Sequence, residues 1–297
     1  MLFPIRNKAF HAQVKAPIAG HYSMSGLVKL ERPIDEVIEL MLQKLNTKVG
    51  DGSDGEWICN MDQWLQYSQE QYPERVDDSV LWCYALTNVV AGSDTVAIPL
   101  RSVLYYVLSD QEKYLRLMQE IDKADIEFPI SWKDARRLPY LDAVIQEALR
   151  IHPPVGLGPE RIVGQAGLKL DNGVSFSEGT QVSVNAWAVH RCAAIFGRDL
   201  DDFRPERWLQ SDDETSREFE DRLQGMKKAF FTFGFGSRAC IGKNLSLIEI
   251  YKLIPMLFRS FDMELIRAEW KTQNSWFVRQ EGLEIRLRQR AVPTKTL

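Results

Sequence analysis

Cysteine and histidine are both scarce in this 297-residue sequence. The four cysteines, Cys59, Cys83, Cys192 and Cys240, form no CxxC pair and show no zinc spacing, which points to a reducing compartment. The four histidines, His11, His21, His152 and His190, make no H-E-x-x-H pattern, so each reads as structural rather than as a metal ligand. Basic charge is not in excess. A net charge of −4 and a pI near 5.7 argue against a nucleic-acid partner, which needs a basic face. No apolar run approaches the ~20 residues that span a bilayer. The opening, Met1-Leu2-Phe3-Pro4-Ile5-Arg6-Asn7-Lys8, does not read as a signal peptide. What remains is a globular composition, 45% hydrophobic and 26% charged, able to bury a sizeable core.

One stretch organises the rest: Phe233-Gly234-Phe235-Gly236-Ser237-Arg238-Ala239-Cys240-Ile241-Gly242. After it, Ile241, Leu245, Ile248, Ile254, Leu257 and Phe258 recur at helical spacing. Cys240 therefore stands at the start of a helix. Unpaired N–H groups and the positive dipole end favour a thiolate there and are expected to lower its pKa. The glycines allow a tight turn and close approach of a flat ligand. Arg238 can pair with a carboxylate on that ligand. Together these features point to haem held by cysteine.

The stretch resembles the haem-binding loop of the cytochrome P-450 superfamily, F-x-x-G-x-R-x-C-x-G, at Phe233, Gly236, Arg238, Cys240 and Gly242. Two further motifs agree. Ala91-Gly92-Ser93-Asp94-Thr95 matches (A/G)-G-x-(D/E)-T, where Thr95 and Asp94 offer a hydroxyl and an acid for proton delivery. Gly92 costs about 1 kcal/mol inside a helix relative to alanine, and a flat ligand against the backbone supplies a reason for it. Glu147 and Arg150 share a helix face and match E-x-x-R; Arg207 in Pro205-Glu206-Arg207-Trp208 matches P-E-R-(F/W). The resemblance implies a buried triad bracing the side beneath the haem. It also implies propionate contacts from Arg161, and from His11 and Lys15 on an early helix. His11 stands where tryptophan is more usual, and an ordinary surface helix is the alternative reading there.

Along the chain, helices are expected at 9–23 (broken or restarted at Pro17), 33–48, Trp57–Tyr67, Asp77–Leu108 and Asp110–Asp122. Pro99 favours a kink. The apolar stripe of the second helix is Ile34, Val37, Ile38, Met41, Leu42 and Leu45. Ser131 caps a short helix. Pro139 opens another that carries Leu141, Val144, Ile145, Ala148 and Leu149. Leu168 and Leu170, then Val174 and Phe176, flank Asp171-Asn172-Gly173 as a hairpin, continued by Val182 and Val184. The acidic stretch 211–222 reads as a solvated loop, and Leu283, Ile285 and Leu287 as a late strand. Residues 155–159 and the turn at Trp276-Phe277 would approach substrate by resemblance.

The expected fold is mainly α with a smaller β portion, a partial cytochrome P-450 fold in one domain over 1–297. Residues 1–75 read as a remnant of N-terminal helices and 76–297 as the haem-binding core. Only Ser68 to Val76 joins two helices that the family separates by its lid, and the family's N-terminal portion is absent, so the chain reads as truncated. The implied function is a fungal-type haem-thiolate monooxygenase of secondary metabolism. It would carry haem b with its iron on the Cys240 thiolate, and an NADPH-dependent reductase would donate the electrons. A non-catalytic remnant and a haem-thiolate isomerase or dehydratase are the alternatives. The family usually sits on the cytoplasmic face of the endoplasmic reticulum. With no anchor in evidence, a cytoplasmic location is expected here.

Overall fold

The computed structural model describes residues 7–29, 31–50, 78–124, 126–127, 129–267 and 269–290. The expected helix at Trp57–Tyr67 and the short connection Ser68–Val76 lie outside them. Helix α1 (Lys8–Ala19) starts where Asn7 Oδ1 accepts the Phe10 N–H at 2.9 Å. It runs through Pro17, and the break falls instead at Gly20–Ser23. There Ser23 Oγ caps α2 (Met24–Val28) by accepting the Gly26 N–H. Near the end of a helix a proline removes one bond without stopping the chain, whereas a serine cap begins a new one. Helix α3 (Glu31–Gly50) buries Ile38 and Leu42, with Ile34, Met41 and Leu45 packed beside them; Val37, expected in the stripe, is exposed.

Helix α4 (Asp78–Leu108) continues unbroken through Pro99. Helix α5 (Gln111–Lys123) is capped by Asp110, whose carboxylate accepts the Glu112 and Lys113 N–H groups. The short α6 (Trp132–Ala135) is capped by Ser131, as expected. Helix α7 (Pro139–Ile151) is the centre of the core. Leu141, Val144, Ile145, Ala148 and Leu149 are all fully buried. Its first-turn donors find a partner outside the helix, because Glu120 of α5 accepts the Tyr140 and Leu141 N–H groups at 2.7 and 2.8 Å.

Among the described residues the β structure is four two-stranded antiparallel ladders. The expected hairpin forms between β2 (Leu168–Lys169) and β3 (Ser175–Phe176), with Gly173 at φ +87° in its turn. Val182 and Val184 do not extend it. Strand β4 (Gln181–Val182) pairs with β1 (Arg161–Ile162) in a separate ladder, and Val184 is exposed outside any strand. Two short helices follow, α8 (Ala186–Val189) and α9 (Ala193–Phe196), then a 3₁₀ turn at Pro205–Trp208.

The acidic stretch is not a loop throughout. Helix α10 (Ser216–Ala229) begins inside it on a capping box, where the Thr215 hydroxyl and the Glu218 carboxylate satisfy each other's backbone N–H. Helix α11 (Lys243–Ser260) is the helix expected after Cys240. It leads into β5 (Phe261–Arg267), β6 (Lys271–Gln273), β7 (Arg279–Glu281) and β8 (Glu284–Gln289). Ile285 and Leu287 face the core from β8, while Leu283 precedes the strand. One apolar cluster joins residues from α3 to β8. The fold is mainly α with a smaller β portion.

A buried cation fastens α3 to α11. Lys252 is fully buried and its Nζ lies 2.7 Å from both Glu31 and Asp35. Glu31 also accepts the Trp132 N–H at the start of α6. Removing one partner of a buried pair strands the others, at about 3 kcal/mol. Lys252→Ala is therefore expected to lower the unfolding free energy from urea denaturation by that amount, and the midpoint with it. An unchanged midpoint would show that the cluster contributes nothing.

Candidate functional site

The cysteine loop is built on carbonyls left open at the end of α7. A helix leaves its last C=O groups without intrahelical donors. Here the Thr232 hydroxyl donates to Leu149 O at 2.9 Å, His190 Nδ1 lies 2.9 Å from Arg150 O, and Arg191 Nη2 donates to Ile151 O at 3.3 Å. His190 Nε2 in turn accepts the Phe231 N–H at 2.8 Å. Phe231 and Thr232, immediately before the loop, are thus fastened to α7. Farther along, the Cys240 N–H donates to Phe233 O at 2.8 Å and closes the loop on itself. Gly234 and Gly236 both have φ near +68°, a conformation that other residues rarely adopt.

Cys240 lies two residues before Gly242, the N-cap of α11, as its sequence position requires. The Lys243 N–H donates to Cys240 O at 3.4 Å, and the backbone N–H groups of Gly242 and Lys243 lie close enough to the sulfur to act on it. They and the charges of Lys15 and Lys243 favour the thiolate. Desolvation by the surrounding loop is larger, however, and the thiol pKa is raised rather than lowered, although the residue as a whole has an exposed face. The helix field is present; for the free thiol, burial outweighs it.

Four basic groups gather beside the loop, Lys8 of α1 among them. His11 and Lys15 of α1 and Arg238 of the loop line one cavity of about 570 Å³, floored by Ala12 and Ala16. Lys15 Nζ donates to Ser237 O at 3.4 Å. Desolvation and then the charges of Arg238 and Lys15 lower the His11 pKa. A smooth alanine floor with cations at its rim suits a flat ligand bearing carboxylates. Phe233 is partly buried against the core, with Lys243 Nζ 5.8 Å from its ring centre.

Other expected residues stand apart from this cluster. Arg161, exposed on β1, donates to Pro159 O and Glu160 O of its own segment. Thr95 on α4 donates its hydroxyl to Ala91 O at 2.7 Å, and Asp94 beside it is exposed. A Cβ at Gly92 would meet nothing within 4 Å, so no protein contact demands glycine there. Leu86, Val89 and Val90 are exposed on the same helix. An open backbone edge beside apolar side chains is what a flat ligand would cover. Among the described residues no three His, Cys, Asp or Glu side chains converge on a metal position.

Glu147, Arg150 and Arg207 come together in one buried cluster. Glu147 and Arg150 are fully buried and pair in a bidentate manner, with two bonds of 2.8 Å. Arg207 Nε lies 3.3 Å from the same carboxylate. The Trp208 indole and the Arg204 N–H also donate to it, at 2.9 and 3.0 Å. Sequence reasoning missed these two donors and the bridging role of His190. Trp208 adjoins Arg207 in the motif and was the signal available.

The Cytochrome P450 family model matches residues 24–284. Cytochrome P450 monooxygenase cfoH of Aspergillus candidus is 41% identical over 226 residues, 75% of this chain and 42% of that protein. Cytochrome P450 monooxygenase cicH of Emericella nidulans is 37% identical over 227 residues, 74% of this chain and 44% of that protein. Pisatin demethylase of Fusarium vanettenii is 42% identical over 196 residues, 65% of this chain and 36% of that protein. The chain thus spans about two fifths of the length of these curated relatives.

Two outcomes are expected. Glu147→Ala and Arg207→Ala should each cost about 3–5 kcal/mol, and the double variant hardly more, because either change already leaves buried charge unpaired. Small, additive losses in urea unfolding would mean independent pairs. The second outcome concerns pH. Burial lowers the pKa of His152 and of His190 from 6.5 to about 4. Above pH 6.5 both rings are neutral whether folded or not. Below it the unfolded chain takes up protons that the folded chain refuses until about pH 4. Stability should therefore fall across that window by about 1.4 kcal/mol per pH unit for each ring. Unfolding midpoints that stay level from pH 6.5 to 4 would contradict this.

Proposed function

This chain belongs to the cytochrome P450 family, and from that premise we propose that it is a haem-thiolate monooxygenase inserting one oxygen atom from O2 into a small organic substrate. The observation that carries the reading is Cys240, held by its N–H on Phe233 O just before α11, with the cavity lined by His11, Lys15 and Arg238 beside its loop. Haem b bound there would supply the iron for oxygen chemistry, with the thiolate's electron density favouring O–O cleavage.

The chain's own residues then have distinct tasks. Cys240 is the metal ligand, and the Gly242 and Lys243 N–H groups hold charge on its sulfur. Arg238, Lys15 and His11 bind ligand carboxylates. Arg161 joins them by giving up the Pro159 and Glu160 carbonyls. Thr95 Oγ1 keeps its own proton on Ala91 O, which leaves the oxygen free to accept a hydrogen bond. Asp94, exposed beside it, exchanges protons with solvent. Val155 bridges Phe277, and the Gly156 N–H donates to Trp276 O at 3.0 Å, so the two segments assigned to the substrate side adjoin.

The electrons come from an NADPH-dependent cytochrome P450 reductase, and the substrate class is that of fungal secondary metabolism. Among the described residues no helix is long and apolar enough to cross a membrane. The test is the reduced, carbon-monoxide-bound absorption spectrum of the haem-loaded chain. Cys240→Ala should abolish the thiolate-type band, while Cys83→Ala and Cys192→Ala keep it. Arg238→Leu should weaken haem binding by roughly tenfold or more, the worth of a charge-assisted hydrogen bond. An unaltered band in Cys240→Ala would overturn the assignment.

A further inference from the structure

We propose that His190 is a positioning residue for the cysteine loop, a neutral latch whose ring fixes the segment leading into Phe233–Gly242 on the end of α7. The ring is fully buried and both its nitrogens are used. Nδ1 lies 2.9 Å from Arg150 O, which can only accept, so Nδ1 carries the proton. Nε2 lies 2.8 Å from the Phe231 nitrogen, which can only donate, so Nε2 is bare. The two partners fix one tautomer, and a second proton on Nε2 would face an N–H.

The surroundings keep it that way. Phe230 stacks on the ring at 5.1 Å and Phe196 meets it edge-on at 5.7 Å. The charged groups that act on it are Arg150 and Glu147 of α7 and the adjacent Arg191. Desolvation and the two arginines disfavour the imidazolium; Glu147, already bonded to both triad arginines, favours it weakly. From Phe231 the chain runs through Thr232, bonded to Leu149 O, to Phe233, whose carbonyl accepts the Cys240 N–H. Displacing Phe231 therefore displaces the frame on which the sulfur sits.

The inference rests on the haem-thiolate reading only for what the loop carries. The test uses the haem-loaded full chain with two variants. In His190→Gln the amide oxygen takes the place of Nε2 and still accepts from Phe231. In His190→Asn the amide nitrogen takes the place of Nδ1 and still donates to Arg150 O, but Phe231 loses its acceptor. His190→Asn should speed amide hydrogen exchange at Phe231 by about tenfold or more, the value of a buried hydrogen bond. It should also move part of the reduced, carbon-monoxide-bound band to the neutral-thiol form. His190→Gln should restore both. Equal effects of the two variants, or lowered stability with exchange at Phe231 and the band unchanged, would overturn the latch. Loss of haem binding in the unsubstituted chain would instead count against the proposed function, with exchange at Phe231 still reporting on the latch.

Discussion

Among the described residues one carboxylate, that of Glu147, is taken wholly out of water, and its burial dictates how the region beneath the loop is built. Desolvating a carboxylate costs several kcal/mol even after relaxation. The cost is offset only if every lone pair is met. Arg150, Arg207, the Trp208 indole and the Arg204 N–H meet them. The two arginines have further donors, and these must be satisfied as well. Arg150 donates to the carbonyls of His190, Leu200 and Asp202, and Arg207 to those of Phe196 and Asp199. Residues 190–208 contain little regular structure, so their carbonyls have few backbone partners. The guanidinium groups replace the missing ladder. One buried charge thereby fixes a long irregular segment to α7.

The same economy extends to the cysteine loop. The last carbonyls of α7 need donors, and they receive them from Thr232, His190 and Arg191. Two of those residues belong to the segment held by the arginines, and the third precedes the loop. The triad and the loop therefore share one helix end. The thiol's raised pKa fits this arrangement. A loop held closely enough to aim a sulfur also desolvates it. Backbone amides alone do not overcome that; a bound metal cation adds charge enough to remove the proton outright.

Much of this was legible in the sequence because it depends on short-range chemistry. Glycines at Gly234 and Gly236, a cysteine before a helix and an i, i+3 Glu–Arg pair each imply a local geometry, and those geometries form. The capping box Thr215–Glu218 was equally local and was masked by the acidity of its neighbours. What could not be read depends on distant partners. Lys252 looks like a solvent-facing lysine until α3 brings Glu31 and Asp35 to it. His190 looks like any structural histidine until Arg150 and Phe231 arrive from opposite sides. Val37 fits the helical period yet is exposed, because period assigns a face without stating how wide the facing surface is. The sign of the Cys240 shift required a balance between field and desolvation, and burial cannot be read from spacing.

The basic cavity shows why the scaffold must be this firmly held. Burial first, and then the charges of Arg238 and Lys15, make His11 hold its proton less readily. Such a cluster lowers the stability of the fold that carries it, by a margin that solvent screening keeps small. A ligand with carboxylates at the same rim converts the repulsion into attraction, so the feature that weakens the protein alone strengthens its complex. The gain depends on the cations staying in place when the site is empty. Lys15 is tied to Ser237 O, α1 is started by the Asn7 cap, and the loop behind Arg238 is pinned through Phe231, Thr232 and Phe233. The rim is thus pre-organised by hydrogen bonds that run back to α7 and its buried carboxylate, so a ligand there pays less to order it.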